Sequence, residues 1–514
     1  MNGAESIVRT LVEGGVNTCF TNPGTSEIHF VAAMERVGAL RGVPCLFEGV
    51  AVGAADGYAR MTTKPAATLL HLGPGLANGL ANLHNARRAR APMLNIVGDH
   101  ASFHRRHDAP LTSDIEAIAR PYSAWLRTSQ SAVDAGQDCA EAIAATQPGR
   151  IATLILPADA AWNEGGRVGR IPETGEAPRA GADAVARAIA MLKNGKRTAI
   201  ILGGRATQGE ALMLAGRIAA ATHAKLLAQF AFARLERGAG RPIVERIAYV
   251  TEQALAQLSA FAQIILVGAP APVAFFGHPS KPSVLTPEGC DIHTLTSAAE
   301  NGCGALRELA EALAPPHTRA PLAGLARPAP PTGAITLAGL AAAVGAFLPA
   351  HAIVVDESIT SGRGMLAATR DAPPHDWLVN TGGSIGIGIP LAVGAAIACP
   401  ERPVLCLSGD GSAMYTLQAL WTAARAQTRT TVVVFANRTY AILKGELAGQ
   451  TDARQEAHLG DNALLDIGRP DLDFVGLARA MGVPARRVTT LDEFGAALKA
   501  GFDSRGPNLI EVPL

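Results

Sequence analysis

Gly409-Asp410-Gly411-Ser412-Ala413-Met414-Tyr415, followed after a helical segment by Thr430-Thr431-Val432-Val433-Val434-Phe435-Ala436 and then Asn437-Arg438-Thr439-Tyr440, decides how this chain folds. The apolar run over residues 403–407 reads as a buried strand ending at Ser408. A turn over 409–411, a helix over 416–426 and a second strand over 430–436 complete a βαβ unit, whose strands should be parallel neighbours. Asp410 and Asn437 then sit at the carboxyl ends of adjacent strands, where open α/β sheets bind ligands. A carboxylate and an amide oxygen there suit a hard cation such as Mg2+, with phosphate oxygens and water as further ligands. Gly409 and Gly411 permit close backbone approach, and Ser412 stands at a helix N-terminus, which favours phosphate. Gly-Asp-Gly alone is ordinary punctuation before a helix. Its spacing to Asn437, with a strand on each side, makes the ligand reading specific.

Working outward, 514 residues imply about three domains. A 48% hydrophobic chain with 17% charged residues and a formal net charge of +1 offers no basic surface for nucleic acid or an anionic membrane. Cys19, Cys45, Cys139, Cys290, Cys303, Cys399 and Cys406 are scattered, odd in number and lack CxxC spacing. That argues against disulfide or zinc frameworks and fits a reducing cytoplasm. Residues 1–10 lack the apolar core of a signal peptide, and no apolar run is long enough to span a membrane. Pro- and Gly-rich stretches over 163–181 and 314–333 read as connectors. They divide the chain into 1–165, 180–315 and 332–514. Each part alternates short Val/Ile/Leu strands with Ala-rich helices, so the fold class is α/β: three domains, each a mainly parallel sheet flanked by helices.

In the first domain a strand over 19–21 meets the turn Asn22-Pro23-Gly24-Thr25-Ser26, where Thr25 or Ser26 is expected to cap the next helix. Glu48 ends the apolar segment 44–47 and opens a helix over 49–60. On its own it is a helix-start carboxylate favoured by the dipole. The strand over 67–70 runs into His71-Leu72-Gly73-Pro74-Gly75-Leu76-Ala77-Asn78-Gly79, a glycine-rich loop before a helix reaching Arg87. A histidine at such a strand end is a catalytic candidate, whereas His104 and His107 read as surface residues. In the middle domain the strand over 198–202 is followed by Gly203-Gly204 without a GxGxxG pattern, which speaks against a dinucleotide site. Phe275-Phe276-Gly277-His278 suits an apolar pocket with a polar handle. In the third domain Ser358, Thr360 and Ser361 offer hydroxyls to phosphate. The glycines from Gly382 to Gly388 imply close approach to something flat or anionic, or tight helix packing.

With these motifs together, the chain resembles the thiamine-diphosphate-dependent 2-oxo-acid decarboxylases and carboligases. Glu48-Gly49-Val50-Ala51-Val52-Gly53-Ala54-Ala55-Asp56-Gly57-Tyr58-Ala59-Arg60 is similar to the family's catalytic-glutamate helix, and Asp410 to Thr439 to its diphosphate motif. The resemblance implies a pyrimidine-binding domain (1–165), a middle domain (180–315) and a diphosphate-binding domain (332–514). It implies thiamine diphosphate held through Mg2+ by Asp410, Asn437 and the Thr439 carbonyl. Gly411, Ser412, Tyr440 and Thr360 would support the diphosphate, Gly383 would face the aminopyrimidine through its backbone, and Ile385 would hold the cofactor bent. Glu48 would hydrogen-bond the aminopyrimidine nitrogen. The implied substrate is a small 2-oxo acid, and the implied assembly a homodimer or homotetramer with shared sites.

Within the family the pattern is most similar to benzoylformate decarboxylases, with acetolactate synthases next. Thr25, His71 and His278 resemble the former's pocket serine and two histidines, and Thr adds a methyl group. Two departures stand out: Ala436-Asn437 replaces the usual Asn-Asn, and Glu446 stands where an aromatic pocket residue is expected. The implied activity is non-oxidative decarboxylation, with or without carboligation. The alternatives are an acetolactate synthase-like carboligase, which usually has a longer C-terminal lid, and a non-catalytic cofactor-binding homologue.

Overall fold

The computed structural model describes residues 1–448 and 462–514. They gather into two compact units: Met1–Thr174, Pro328–Leu366 and Asn380–Leu514 form the first, and Gly175–Arg327 with Ala367–Val379 the second. Three parallel-dominated sheets flanked by helices carry the fold, as the alternating pattern predicts.

In the first unit, β1 (Thr18–Asn22), β2 (Arg41–Pro44), β3 (Ala66–Leu70), β4 (Met93–Asp99), β5 (Trp125–Thr128) and β6 (Ile151–Pro157) form a sheet of order β2-β1-β3-β4-β6-β5. All its pairings are parallel. The strands β3, β4 and β6 are buried along their whole length, because helices cover both faces. Strand order reverses between β1 and β3, so a crevice opens at their carboxyl ends, where Asn22 lies opposite Leu70.

The second unit contains β7 (Thr198–Leu202), β8 (Lys225–Ala228), β9 (Leu235–Arg237), β10 (Glu245–Arg246), β11 (Gln263–Val267) and β12 (Asp291–Thr296). Five of these form the parallel sheet β10-β8-β7-β11-β12. Its two faces show the period-two logic of a doubly covered sheet: Ile200, Leu202, Ile265 and Val267 pack into one cluster, Ala199, Ile201, Ile264 and Leu266 into the other. Here too β14 (His375–Val379) pairs antiparallel with β9.

Back in the first unit, β13 (Ile353–Glu357), β15 (Val404–Gly409), β16 (Thr430–Ala436), β17 (Ala485–Arg487) and β18 (Asn508–Pro513) run in the order β17-β18-β16-β15-β13, all parallel. The expected βαβ unit is present, with Ser408 opposite Val434. Its connection differs in detail from the expectation. Asp410–Met414 is a short helix rather than a turn, and the second helix starts later, at Ala419–Ala426. The glycine-rich segment after His71 likewise forms the first turn of the Leu72–Ala89 helix rather than a loop.

The Glu48–Thr62 helix packs against the Gly388–Ala398 helix. A Cβ on Gly57 would lie 2.0 Å from the Leu391 carbonyl oxygen, and one on Gly394 1.8 Å from that of Ala54. Only glycine permits so close a backbone approach. Gly394 lies beyond the Gly382–Gly388 stretch for which close approach or tight helix packing is expected. Among the described residues no helix is long and apolar enough to cross a membrane.

Candidate active site

Around the β1/β3 crevice the side chains form a connected set. Glu48 opens its helix directly after an extended Phe47 and is 5% exposed. Its Oε1 accepts from Asn22 Nδ2 at 3.3 Å and its Oε2 from Asn78 Nδ2 at 2.9 Å. Asn22 is the last residue of β1 and Asn78 lies on the helix after β3, so a strand end and a helix side chain hold one carboxyl group. Gly75 is wedged between Glu48 and His71: a Cβ there would lie 3.1 Å from Glu48 Oε1 and 3.2 Å from His71 Cβ.

His71 Nδ1 lies 2.7 Å from Oε2 of Glu27, and the same oxygen accepts the Gly24 N–H at 2.8 Å. Burial pushes the Glu27 carboxyl above its ordinary value, with the hydrogen bond from His71 opposing. Glu27 Oε1 has no hydrogen-bond partner among the described residues. Gly24 and Gly98 make the room: a Cβ on Gly24 would lie 2.1 Å from His71 Nδ1, and one on Gly98 1.7 Å from Glu27 Oε1. The expectation that Thr25 or Ser26 caps the following helix is corrected here. Gly24 precedes a 3-10 turn over Thr25–Glu27, and the Glu27 carboxylate takes the Gly24 N–H instead. Thr25 is exposed beside this dyad. The sequence reading passed over Glu27, because Gly24 lacks the side-chain oxygen that makes a capping box recognisable in sequence.

At the ends of β15 and β16, Asp410 is 4% exposed, and burial raises its carboxyl above the ordinary value. Oδ1 accepts the Gly411 N–H at 2.8 Å and Oδ2 the Arg438 N–H at 2.6 Å. Asn437 Oδ1 accepts the Thr439 N–H at 3.1 Å, and Thr439 Oγ1 donates to the Leu465 carbonyl at 2.8 Å. The Arg438 guanidinium pairs with both oxygens of Asp471. Tyr440 lies over Gly411, where a Cβ would meet its ring at 2.6 Å. Ser412 is buried in the short helix.

Gly383 has φ +81° in the segment between Asn380 and the Gly388–Ala398 helix, and Ile385 is half-buried there. The segment is anchored from the first domain. His84 Nε2 lies 3.0 Å from the Gly382 carbonyl, and Asn85 Nδ2 donates to the Ser384 carbonyl at 2.8 Å. Arg60 Nη2 donates both to Asp56 Oδ2 at 2.6 Å and to Thr381 Oγ1 at 3.2 Å. Asp56 and Arg60 form a nearly unexposed ion pair, in which burial still raises the Asp56 carboxyl.

Three non-glycine residues with left-handed backbone flank these groups: Leu72 (φ +49°) follows His71, Ile359 (φ +52°) precedes Thr360, and Arg438 (φ +57°) separates Asn437 from Thr439. Each conformation costs on the order of 1–3 kcal/mol and persists where surrounding structure dictates it, as at ligand sites. No sequence pattern announced them.

In the second unit, His278 is half-buried and its carbonyl accepts the Lys281 N–H at 3.2 Å. Phe275 packs on Phe230, Tyr249 and Phe276, with Phe275 43% and Phe276 57% exposed. The aromatic pair is thus partly exposed beside His278. Glu446, half-buried, lies on the Ala441–Ala448 helix.

The donor set at Asp410 fits a Mg2+-diphosphate. One buried carboxylate, one amide oxygen and one peptide carbonyl are hard donors that leave positions for phosphate and water. Among the described residues no group of three or more His, Cys, Asp or Glu side chains could hold a metal ion.

Residues 1–118 match the model for the thiamine pyrophosphate enzyme N-terminal TPP binding domain, and residues 361–512 that for the C-terminal TPP binding domain. The Mycobacterium tuberculosis protein named "Putative acetolactate synthase large subunit IlvX" is 52% identical over 514 residues, covering 100% of this chain and 99% of that one. A benzoylformate decarboxylase of Pseudomonas aeruginosa is 28% identical, covering 97% and 96%. In structure, a thiamine diphosphate-dependent 4-hydroxybenzoylformate decarboxylase of Rhodococcus jostii RHA1 superposes with a TM-score of 0.86 at 24% identity, covering 100% and 99%. The chain belongs to the thiamine-diphosphate-dependent enzymes. Within them it falls in the branch that holds the 2-oxo-acid decarboxylases and the acetolactate synthases.

Proposed function

We propose that this enzyme decarboxylates a small 2-oxo acid without oxidation and releases an aldehyde. The observation that carries the reading is the Glu27–His71 pair standing beside the Glu48 carboxyl across Gly75. Bound thiamine diphosphate would supply a nucleophilic carbon and a sink for the electron pair left when CO2 departs. In this reading 1–165 binds the aminopyrimidine, 180–315 is the middle domain and 332–514 binds the diphosphate. Asp410, Asn437 and the Thr439 carbonyl hold Mg2+, with Gly411, Ser412, Tyr440 and Thr360 along the diphosphate and Gly383 and Ile385 against the ring. Glu48, oriented by Asn22 and Asn78, exchanges a proton with the ring nitrogen. Aldehyde release needs a proton delivered to the substrate-derived carbon. Glu27 occupies His71 Nδ1, which leaves Nε2 for that transfer. Thr25, beside the Glu27–His71 pair, supplies a hydroxyl to the substrate pocket. The enzyme assembles as a cytoplasmic homodimer or homotetramer with sites shared between subunits.

A second reading, joining of two 2-oxo acids, is favoured by the name of the relative 52% identical to this chain. Incubating the Mg2+- and thiamine diphosphate-loaded enzyme with a panel of 2-oxo acids, with CO2 and organic products identified, separates the two. Aldehyde is the expected product. A 2-hydroxy-2-acyl acid as the sole organic product, with one CO2 per molecule formed, would establish the second reading, and CO2 from no substrate would defeat both. Light scattering should show a dimer or tetramer, and an active monomer would remove the shared-site assignment.

A further inference from the structure

The Gly388–Ala398 helix has Ile387 at its N-cap, a residue with no side chain able to satisfy the first N–H groups. Glu357, the last residue of β13, does so from across the chain. Its Oε1 accepts the N–H groups of Gly386 at 3.1 Å and Ile387 at 3.2 Å, and Nδ2 of Asn380 at 3.2 Å. Its Oε2 accepts the N–H of Gly388 at 2.8 Å. The carboxylate is 2% exposed and sits where a helix N-terminus favours negative charge. Asn380 in turn accepts the N–H groups of Gly382 and Gly383. One carboxylate thus pins both ends of the segment that carries Gly383 and Ile385.

We propose that Glu357 is a positioning residue that clamps the 380–388 segment in the shape that receives the cofactor ring, an inference resting on the cofactor role given above to Gly383 and Ile385. Four donors converge on the group, so the ionised carboxylate is the form that clamps. A proton on it would put an O–H against an N–H and release at least one bond. Burial pushes this carboxyl up to about 7, against the opposing pull of its hydrogen bonds. The groups facing it do not titrate near neutrality. From β15 comes the Cys406 thiol, which burial raises well above its ordinary value. From the segment comes the Asn380 amide, and from the helix only main-chain N–H groups. Asp356, its strand neighbour, is turned to Ser358.

Glu357→Gln keeps the shape but aims an amide N–H at a backbone donor. Amide hydrogen exchange at Gly386 to Gly388 should accelerate roughly 10-fold or more, with the Glu48–Thr62 helix unchanged. Thiamine diphosphate with Mg2+, measured by equilibrium dialysis, should bind roughly 10-fold more weakly at pH 8, the worth of one hydrogen bond to a charged group. Wild-type affinity should fall from pH 8 to pH 6, while E357Q affinity stays flat, a pattern that simple loss of folding would not produce. Exchange in the wild type at pH 6 and pH 8, corrected for intrinsic rate, repeats the test without a variant. Unchanged exchange, or normal wild-type binding with the same Kd and pH profile in E357Q, would overturn the clamp alone. Wild-type protein that binds no thiamine diphosphate would overturn the cofactor reading and this inference with it.

Discussion

Nδ1 of His71 lies 2.7 Å from Oε2 of Glu27, joining residues 44 positions apart at the mouth of one crevice. The bond selects the tautomer that keeps Nε2 available. His71→Ala is expected to lower turnover by roughly 10²–10⁴-fold with cofactor still bound, the usual worth of general acid–base catalysis. Glu27→Gln should cost less, roughly 10–100-fold. Steady-state kcat for both variants and the double variant checks the coupling. Losses that simply multiply would show that the two residues act independently.

Glu48→Gln should leave folding and cofactor binding largely intact and slow proton exchange at the thiazolium C2 by several powers of ten, since an amide cannot exchange a proton as an acid does. Exchange followed by NMR in deuterated buffer reads this directly. Wild-type rates in the variant would rule Glu48 out as activator.

Asp410→Ala should abolish retention of thiamine diphosphate, because the only carboxylate in the proposed Mg2+ donor set would be gone. Chelation of Mg2+ from the wild type should have the same effect. Cofactor content after gel filtration is the measurement, and full retention in either case would refute the site.

The Asp56–Arg60 pair has side-chain exposures of 0% and 2% and ties the Glu48 helix to Thr381. Arg60→Ala strands a buried carboxyl and should cost about 3–5 kcal/mol of stability. Urea unfolding measures it, and a loss below about 1 kcal/mol would show that the pair is replaceable.

Glu357 makes a signed prediction for stability against pH. Its carboxyl rises from 4.5 to about 7 on folding, so the folded chain holds that proton more tightly than the unfolded one. The associated stabilisation is complete below about pH 4.5 and is lost as pH rises through about 7, on the order of 3 kcal/mol in all. E357Q lacks this loss. The unfolding free energy of the wild type should therefore fall relative to E357Q between pH 5 and pH 8, and parallel curves would contradict the assignment. The form that clamps best is thus the form that costs stability.

Local order along the chain was enough to specify the α/β class, the β15–β16 unit with Asp410 and Asn437 at its ends, and the strand-then-helix setting of Glu48. Parallel βαβ units are built from consecutive segments, so periodicity and turn residues record them directly. Tertiary packing alone joined Glu27 to His71, Asn22 and Asn78 to Glu48, and Glu357 to the 386–388 amides. Each pair combines side chains or backbone groups from different elements, and their separation in sequence carries no period that could reveal them. The left-handed backbone at Leu72, Ile359 and Arg438 follows the same logic. Those side chains disfavour it, so only surrounding contacts impose it. Gly57 and Gly394 show the two levels meeting: their lack of a Cβ is plain in the sequence, but the carbonyl each one admits belongs to another helix, and only packing brings it there.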